Sequence, residues 1–166
     1  MNKIVRLTPD TTVIKLLNKV IETSDNLIIP SYNKISKEDF LKIRIPDTDS
    51  PKDYLYEAGT LSGFSKKYLL AAKTLLNANF VRNYRYSYPE SFLNWHTDSD
   101  FTGTRLYYTY TNAESIFKYA DADRVVYTDY DAVGEWTCRQ FTINPDTLLW
   151  HSVWNKDIRY VFGFSL

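Results

Sequence analysis

The chain carries only two histidines, His96 and His151, and both lie in runs that can bring them to a metal. His96 belongs to Asn94-Trp95-His96-Thr97-Asp98. Residues two apart on a strand project to the same side, so His96 and Asp98 can offer an imidazole and a carboxylate to one point. His151 closes the run Thr147-Leu148-Leu149-Trp150-His151. Two imidazoles and a carboxylate bind one face of a metal ion and leave the other positions open. Each part has an ordinary counterpart: a His-x-Asp pattern is frequent by chance, and a lone histidine is more often a hydrogen-bonded core residue. Arg159 adds specificity. It follows His151 by eight residues, beyond a turn at Asn155-Lys156-Asp157, and alternation on both strands puts it on the interior side with His151. A guanidinium buried there needs an anion, and its planar fork suits a carboxylate held bidentately. One dicarboxylate can then chelate the metal at one end and meet Arg159 at the other.

The elements that must position these residues divide the chain in two. Residues 1–79 read as a helix-rich cover. Pro9-Asp10-Thr11-Thr12 is a capping signal, and Val13, Ile14, Leu16, Leu17, Val20 and Ile21 follow at helical spacing, which predicts a helix over 9–24. Asn26 to Pro30 reads as a short strand. Ser36 caps a short helix through Leu41, and 62–79 is the longest helical stretch. Pro46 to Lys52 reads as loop. From Phe80 the period falls to two, and strands are predicted at 80–88, 92–97, 104–111, 116–119, 124–128, 136–143, 147–154 and 158–165. Strands of this length and spacing suit a sandwich or flattened barrel, so 80–166 is the core of a single domain over 1–166. Fourteen tyrosines reinforce the bias towards sheet.

Here the residues resemble the iron(II)/2-oxoglutarate-dependent oxygenases, which have a double-stranded β-helix (jelly-roll, cupin-like) core. The resemblance covers 80–166. It rests on the order His96-x-Asp98, His151, Arg159, on Gly103-Thr104-Arg105-Leu106-Tyr107-Tyr108-Thr109-Tyr110-Thr111-Asn112, similar to the strand after the metal motif in prolyl-hydroxylase-like members, and on Trp150-His151-Ser152-Val153 with Arg159-Tyr160, similar to the closing hairpin. It implies iron(II) on His96, Asp98 and His151, with Arg159 gripping the distal carboxylate of the co-substrate 2-oxoglutarate. It also implies hydroxylation or demethylation of a prime substrate with O2, releasing succinate and CO2. A tyrosine, asparagine or serine before the metal motif often assists; Tyr86 is the candidate here, Tyr84 the next. Two departures stand out. Val161 occupies the place of a serine found in some branches, and the second closing arginine of the nucleic-acid demethylating branch is missing. The missing arginine disfavours base repair, while the compact size and the prolyl-hydroxylase-like strand favour a group on a peptide or amino acid as substrate.

The remaining features have plainer readings. Asp100, near His96, reads as a solvated loop residue, as do Asp121-Ala122-Asp123 and Asp129-Tyr130-Asp131, which lack the glycine-centred loop of an EF-hand. Arg105 reads as a structural ion-pair partner. Trp95, Trp150 and Trp154 fall on the face opposite the metal residues and read as packing. Cys138 reads as a small buried hydrophobe. Twenty basic and twenty acidic residues cancel, which disfavours duplex nucleic acid. No run is apolar enough for a membrane span, and no signal peptide is evident, so a cytoplasmic protein is expected. Two rival functions stay open: a cupin-like metalloprotein that ignores 2-oxoglutarate (a direct dioxygenase or a hydrolase), and a non-enzymatic binding module. Oligomeric state is not encoded in any readable pattern.

Overall fold

The computed structural model describes residues 4–47, 57–98, 102–144, 146 and 149–166. In chain order the elements are β1 (Val5–Leu7), α1 (Thr11–Thr23), α2 (Lys37–Lys42), β2 (Ala58–Thr60) and α3 (Lys67–Leu75), followed by strands alone: β3 (Phe80–Ser87), β4 (Ser91–His96), β5 (Gly103–Thr111), β6 (Ser115–Ala120), β7 (Val126–Tyr130), β8 (Trp136–Ile143), β9 (Trp150–Asn155) and β10 (Arg159–Ser165). The fold is mainly β, with its helices before residue 80. The strands form two antiparallel sheets: six strands in the order β1-β8-β5-β10-β3-β2, and four in the order β4-β9-β6-β7. No helix among the described residues is long and apolar enough to cross a membrane.

Alternation gives the six-stranded sheet two unlike faces. Leu106 and Tyr108 of β5, Cys138 of β8, and Phe162 and Phe164 of β10 turn to one side and form a core with Val13, Leu17 and Val20 of α1 and Leu69 and Ala72 of α3. The three α1 residues are spaced four and three apart, fall on one helical face and are fully buried. Emptying such a site, as in Leu17→Ala, costs ~2–5 kcal/mol. Cys138 lies in this core, and burial pushes its thiol up to about 11. Asp10 caps α1 by accepting from the backbone N–H groups of Thr12 and Val13. The opposite face carries Asn83, Arg85, Arg105, Tyr107, Arg139 and Arg159 towards the four-stranded sheet.

The outer face of the four-stranded sheet is covered by α2 and the segment after it. Trp154 and Ile116 pack on Phe40, while Trp95 and Trp150 pack on Ile43 and Ile45. The tryptophans are packing, on the side away from the histidines. Lys118 of β6 points into the same layer: its Nζ donates to the carbonyls of Phe40 (2.9 Å) and Ile43 (3.4 Å), so a buried ammonium satisfies the end of α2.

Three expectations from the sequence change. Asn26 to Pro30 forms no strand. The long helix is only α3, bracketed by Gly63 at φ +76° and Asn77 at φ +51°, left-handed residues that a helix cannot contain. β1 and β2, three residues each, were too short to show a period. β2 also needs Gly59, because a Cβ there would collide with the Tyr86 ring. The turn expected at Asp100, most of the loop 46–52 and part of the strand expected over 147–154 lie outside the described residues.

Burial lowers the Lys118 ammonium from 10.5 to about 8. Below pH 8 the folded and unfolded chains both carry the charge, and its burial opposes folding in full. Between 8 and 10.5 the unfolded chain holds the extra proton, so this group makes stability rise with pH. The difference in unfolding free energy between the wild type and Lys118→Met should therefore shift in favour of the wild type by up to its limit across that window. Denaturant melts at pH 7.5, 9 and 10 measure it, and a difference independent of pH would show that Lys118 does not titrate there.

Candidate metal centre and its cavity

The two sheets enclose a cavity of about 300 Å³. His96, Asp98 and His151 meet at its wall, each offering a donor atom, with all three donors within 4.8 Å of one another. Their convergence has a local cause. Leu93 pairs with Val153 and His96 with His151, so β4 holds one residue more than β9 over that interval. This bulge, where the Asn94 side chain accepts from the Trp95 N–H at 2.8 Å, keeps Leu93 and His96 both on the cavity side although they are three apart. β4 then ends, and Asp98 takes a left-handed conformation at φ +51°. Simple strand alternation therefore does not bring His96 and Asp98 together; a turn beyond the strand does. Aspartate is among the few residues that tolerate this region.

Both imidazoles are oriented through Nδ1, which lies 2.8 Å from the Asn94 carbonyl in His96 and 3.2 Å from the Leu149 carbonyl in His151. A carbonyl can only accept, so Nδ1 carries the proton and Nε2 presents a lone pair. The two Nε2 atoms face Asp98, at 3.7 Å from Oδ1 for His96 and 3.4 Å from Oδ2 for His151. Burial first, and then the neighbouring His151, lowers His96 to about 3, so this imidazole is neutral at physiological pH. Burial pushes the Asp98 carboxyl up, but the neighbouring His151 and His96 and the Arg105 guanidinium together hold it below the usual carboxylate range. Arg105, expected as a structural ion-pair partner, pairs with this ligand itself: Nη1 lies 3.1 Å from Asp98 Oδ2, and Nη2 donates to the Asp98 carbonyl at 3.3 Å.

No family model, curated protein or solved structure matches the chain. The chemistry of the site has to be read from its own geometry.

Arg159 is buried and lines the cavity, as its parity predicted. Its Nε donates to Asp131 Oδ2 at 2.6 Å, and among the described residues its two Nη nitrogens have no acceptor. Tyr86 is placed elsewhere. It faces the helices, in the core with Leu61 and Tyr88, and its hydroxyl donates to the Ile28 carbonyl at 2.9 Å. Tyr84 packs on the same side, against that core. The residues of β3 that face the cavity are Asn83, Arg85 and Ser87. A bulge where Phe164 pairs with Val81 and Gly163 with Asn83 adds Arg82 to them. Gly163 leaves room for this: a Cβ there would come within 2.7 Å of Asn83 Oδ1.

Asp131 corrects the sequence reading. It is no solvated loop residue but a buried carboxylate bonded to Arg139, Arg159, Thr109 and Ser115. Burial alone would raise its pKa; Arg159 and Arg139 hold it well below the usual range. The available signal was the inward parity of two arginines, which cannot be buried without a carboxylate. Asp129 pairs with Arg139 and Arg6, whereas Asp121 is a turn residue that accepts from the N–H groups of Asp123 and Val125.

Two imidazoles and one ionised carboxylate fit a divalent first-row metal. Anaerobic iron(II), or cobalt(II) in its place, should raise the melting temperature of the wild type, and EDTA should reverse the rise. At a hundredfold excess over Kd the stabilisation is about 2.7 kcal/mol. His96→Ala and His151→Ala should each lose most of the rise while melting cooperatively without metal. A full rise in either variant would remove that histidine from the site.

Proposed function

We propose that the protein is a non-haem iron(II), 2-oxoglutarate-dependent oxygenase with a double-stranded β-helix core, acting in the cytoplasm. The observation that carries this reading is one cavity with two differently built ends: a three-donor metal site at His96, Asp98 and His151, and the Arg159 guanidinium with its Nη edge unclaimed among the described residues. The strand orders β8-β5-β10-β3 and β4-β9-β6-β7 support the jelly-roll part of it, since consecutive strands pass between the two sheets except at the β6–β7 hairpin.

On this reading each Nε2 and the Asp98 carboxylate hold the iron, and Arg159 takes the distal carboxylate of 2-oxoglutarate. Leu93, Val153 and Val161 line the cavity with apolar surface that suits a methylene chain and excludes water. Iron(II) with 2-oxoglutarate and O2 supplies the oxidising power, with succinate and CO2 as by-products and a hydroxylated group, on a peptide or amino acid, as the product. The assisting role expected of Tyr86 passes to the β3 residues that do face the cavity. Asn83 is the candidate there, since its side-chain amide can donate through Nδ2 to a carboxylate, which only accepts.

One observation favours a second reading. Asp131 already gives Arg159 a counter-charge, so the arginine can be buried without any ligand. A cupin-like metalloprotein that does not use 2-oxoglutarate would look the same at that end.

Anaerobic titration of the iron(II) protein with 2-oxoglutarate separates the two. A visible metal-to-ligand charge-transfer band is expected in the wild type, absent in His151→Ala. Arg159→Lys keeps a positive charge but loses the fork, so the band should form only at roughly 10–100-fold higher 2-oxoglutarate, the usual scale for disturbing a supporting contact. Iron binding with no band at any concentration would favour the second reading.

A further inference from the structure

Asp131 has every hydrogen-bonding position of its carboxylate engaged. Oδ1 accepts from Thr109 Oγ1 at 3.0 Å and from Arg139 Nη1, and Oδ2 accepts from Ser115 Oγ and Arg159 Nε, both at 2.6 Å. The donors come from β5, β8, β6 and β10, so both sheets hold the group and it has no rotational freedom left. A guanidinium is planar and offers a carboxylate either of two edges, one including Nε and one made of the two Nη nitrogens. Asp131 takes Nε, which leaves the Nη edge for the cavity.

We propose that Asp131 is a positioning residue for the co-substrate: it fixes the Arg159 plane so that the Nη edge receives the distal carboxylate of 2-oxoglutarate. The inference rests on the function proposed above and adds a residue that touches neither metal nor co-substrate. It carries a sign that a purely electrostatic role does not. A negative charge beside an anion site weakens anion binding, so removing it should tighten the site. A positioning role predicts the opposite, because a guanidinium freed from its anchor loses its alignment along with the burial of its partner.

The test is the affinity of the iron(II)-loaded protein for 2-oxoglutarate, read anaerobically from the charge-transfer band in wild type, Asp131→Glu, Asp131→Asn and Ser115→Ala. The iron-dependent rise in melting temperature serves as the control for an intact metal site. Asp131→Glu keeps the charge and displaces the anchor; it should weaken 2-oxoglutarate by roughly 10–100-fold while the iron response persists. Asp131→Asn should weaken it as well. Ser115→Ala leaves both the carboxylate and the arginine in place and removes only one of the contacts that fix them, so a smaller loss of several-fold is expected even if the Asp131 variants fail to fold. Unchanged affinity in Asp131→Glu, or in Ser115→Ala when that is the only soluble variant, overturns the proposal, as does tighter binding in Asp131→Asn. A wild type that binds iron but gives no band overturns the proposed function, and this inference with it. A wild-type band with an unaltered Asp131→Glu overturns this inference alone.

Discussion

Charge enclosed between two sheets has to be compensated by charge inside the same enclosure, and that constraint shapes the interior. The cavity wall carries Arg82, Arg85, Arg105, Arg139 and Arg159. Aspartates answer three of them from different ends: Asp98 at one, Asp131 with Asp129 at the other. Asp98 is held by Arg105, which pairs across the sheet with Ser165, while Asp131 is held by Arg139 and by Arg159, which pairs with Thr111 at the other end of β5. An unpaired charge in this setting costs several kcal/mol, so neither cluster tolerates loss of one partner without response from the others. The two clusters give the cavity chemically distinct ends, and any ligand that spans it must be unsymmetrical in the same way.

This interior is only partly polar: Phe117, Phe141, Ile143, Leu149 and Val153 form a core between the sheets, and further apolar packing lies on the outer faces. The strands of the six-stranded sheet use one face for arginines and the other for Phe162, Phe164, Leu106 and Tyr108 against the helices. The four-stranded sheet does the same with its tryptophans against α2. Apolar burial on the outer faces adds to that of the core between the sheets, which leaves part of the space between them to charged side chains. Lys118 shows how tightly the outer layer is filled. An ammonium is retained there only because two carbonyls at the end of α2 and the Phe40 ring, 4.1 Å away, solvate it.

What the sequence disclosed follows the range of the interactions involved. The alternation of β9 and β10 is local, so the inward parity of His151 and Arg159 was readable, as were the eight strands from Phe80 onward. The phase of β3 was readable too, because Asn83-Tyr84-Arg85-Tyr86-Ser87-Tyr88 alternates polar with aromatic. Expecting Tyr86 in the cavity went against that pattern: Tyr160 stands opposite Tyr86, and Phe162 opposite Tyr84, on the helix side. The convergence of His96 and Asp98 was anticipated for an incomplete reason, since neither the bulge in β4 nor the left-handed turn at Asp98 leaves a mark in the period. Asp131 was beyond local reading. Its burial is created by Arg139 and Arg159, which arrive from strands eight and twenty-eight residues later.

The order of the three candidate ligands is a property of the protein's own contacts. Backbone carbonyls fix both imidazoles, so little conformational entropy is left for a metal to remove from them. Asp98 is the strained member. A non-glycine residue in the left-handed region costs on the order of 1 kcal/mol, and the hydrogen bond from Arg105 to its carbonyl, with the ion pair to its Oδ2, offsets that cost. Arg105 then has a second consequence. An oxygen that already faces a guanidinium at 3.1 Å is a poorer donor to another cation, which leaves Oδ1 as the better metal ligand. Ligation through one oxygen, with one nitrogen from each histidine, would supply three donors and leave a bound metal's remaining positions to whatever the cavity admits.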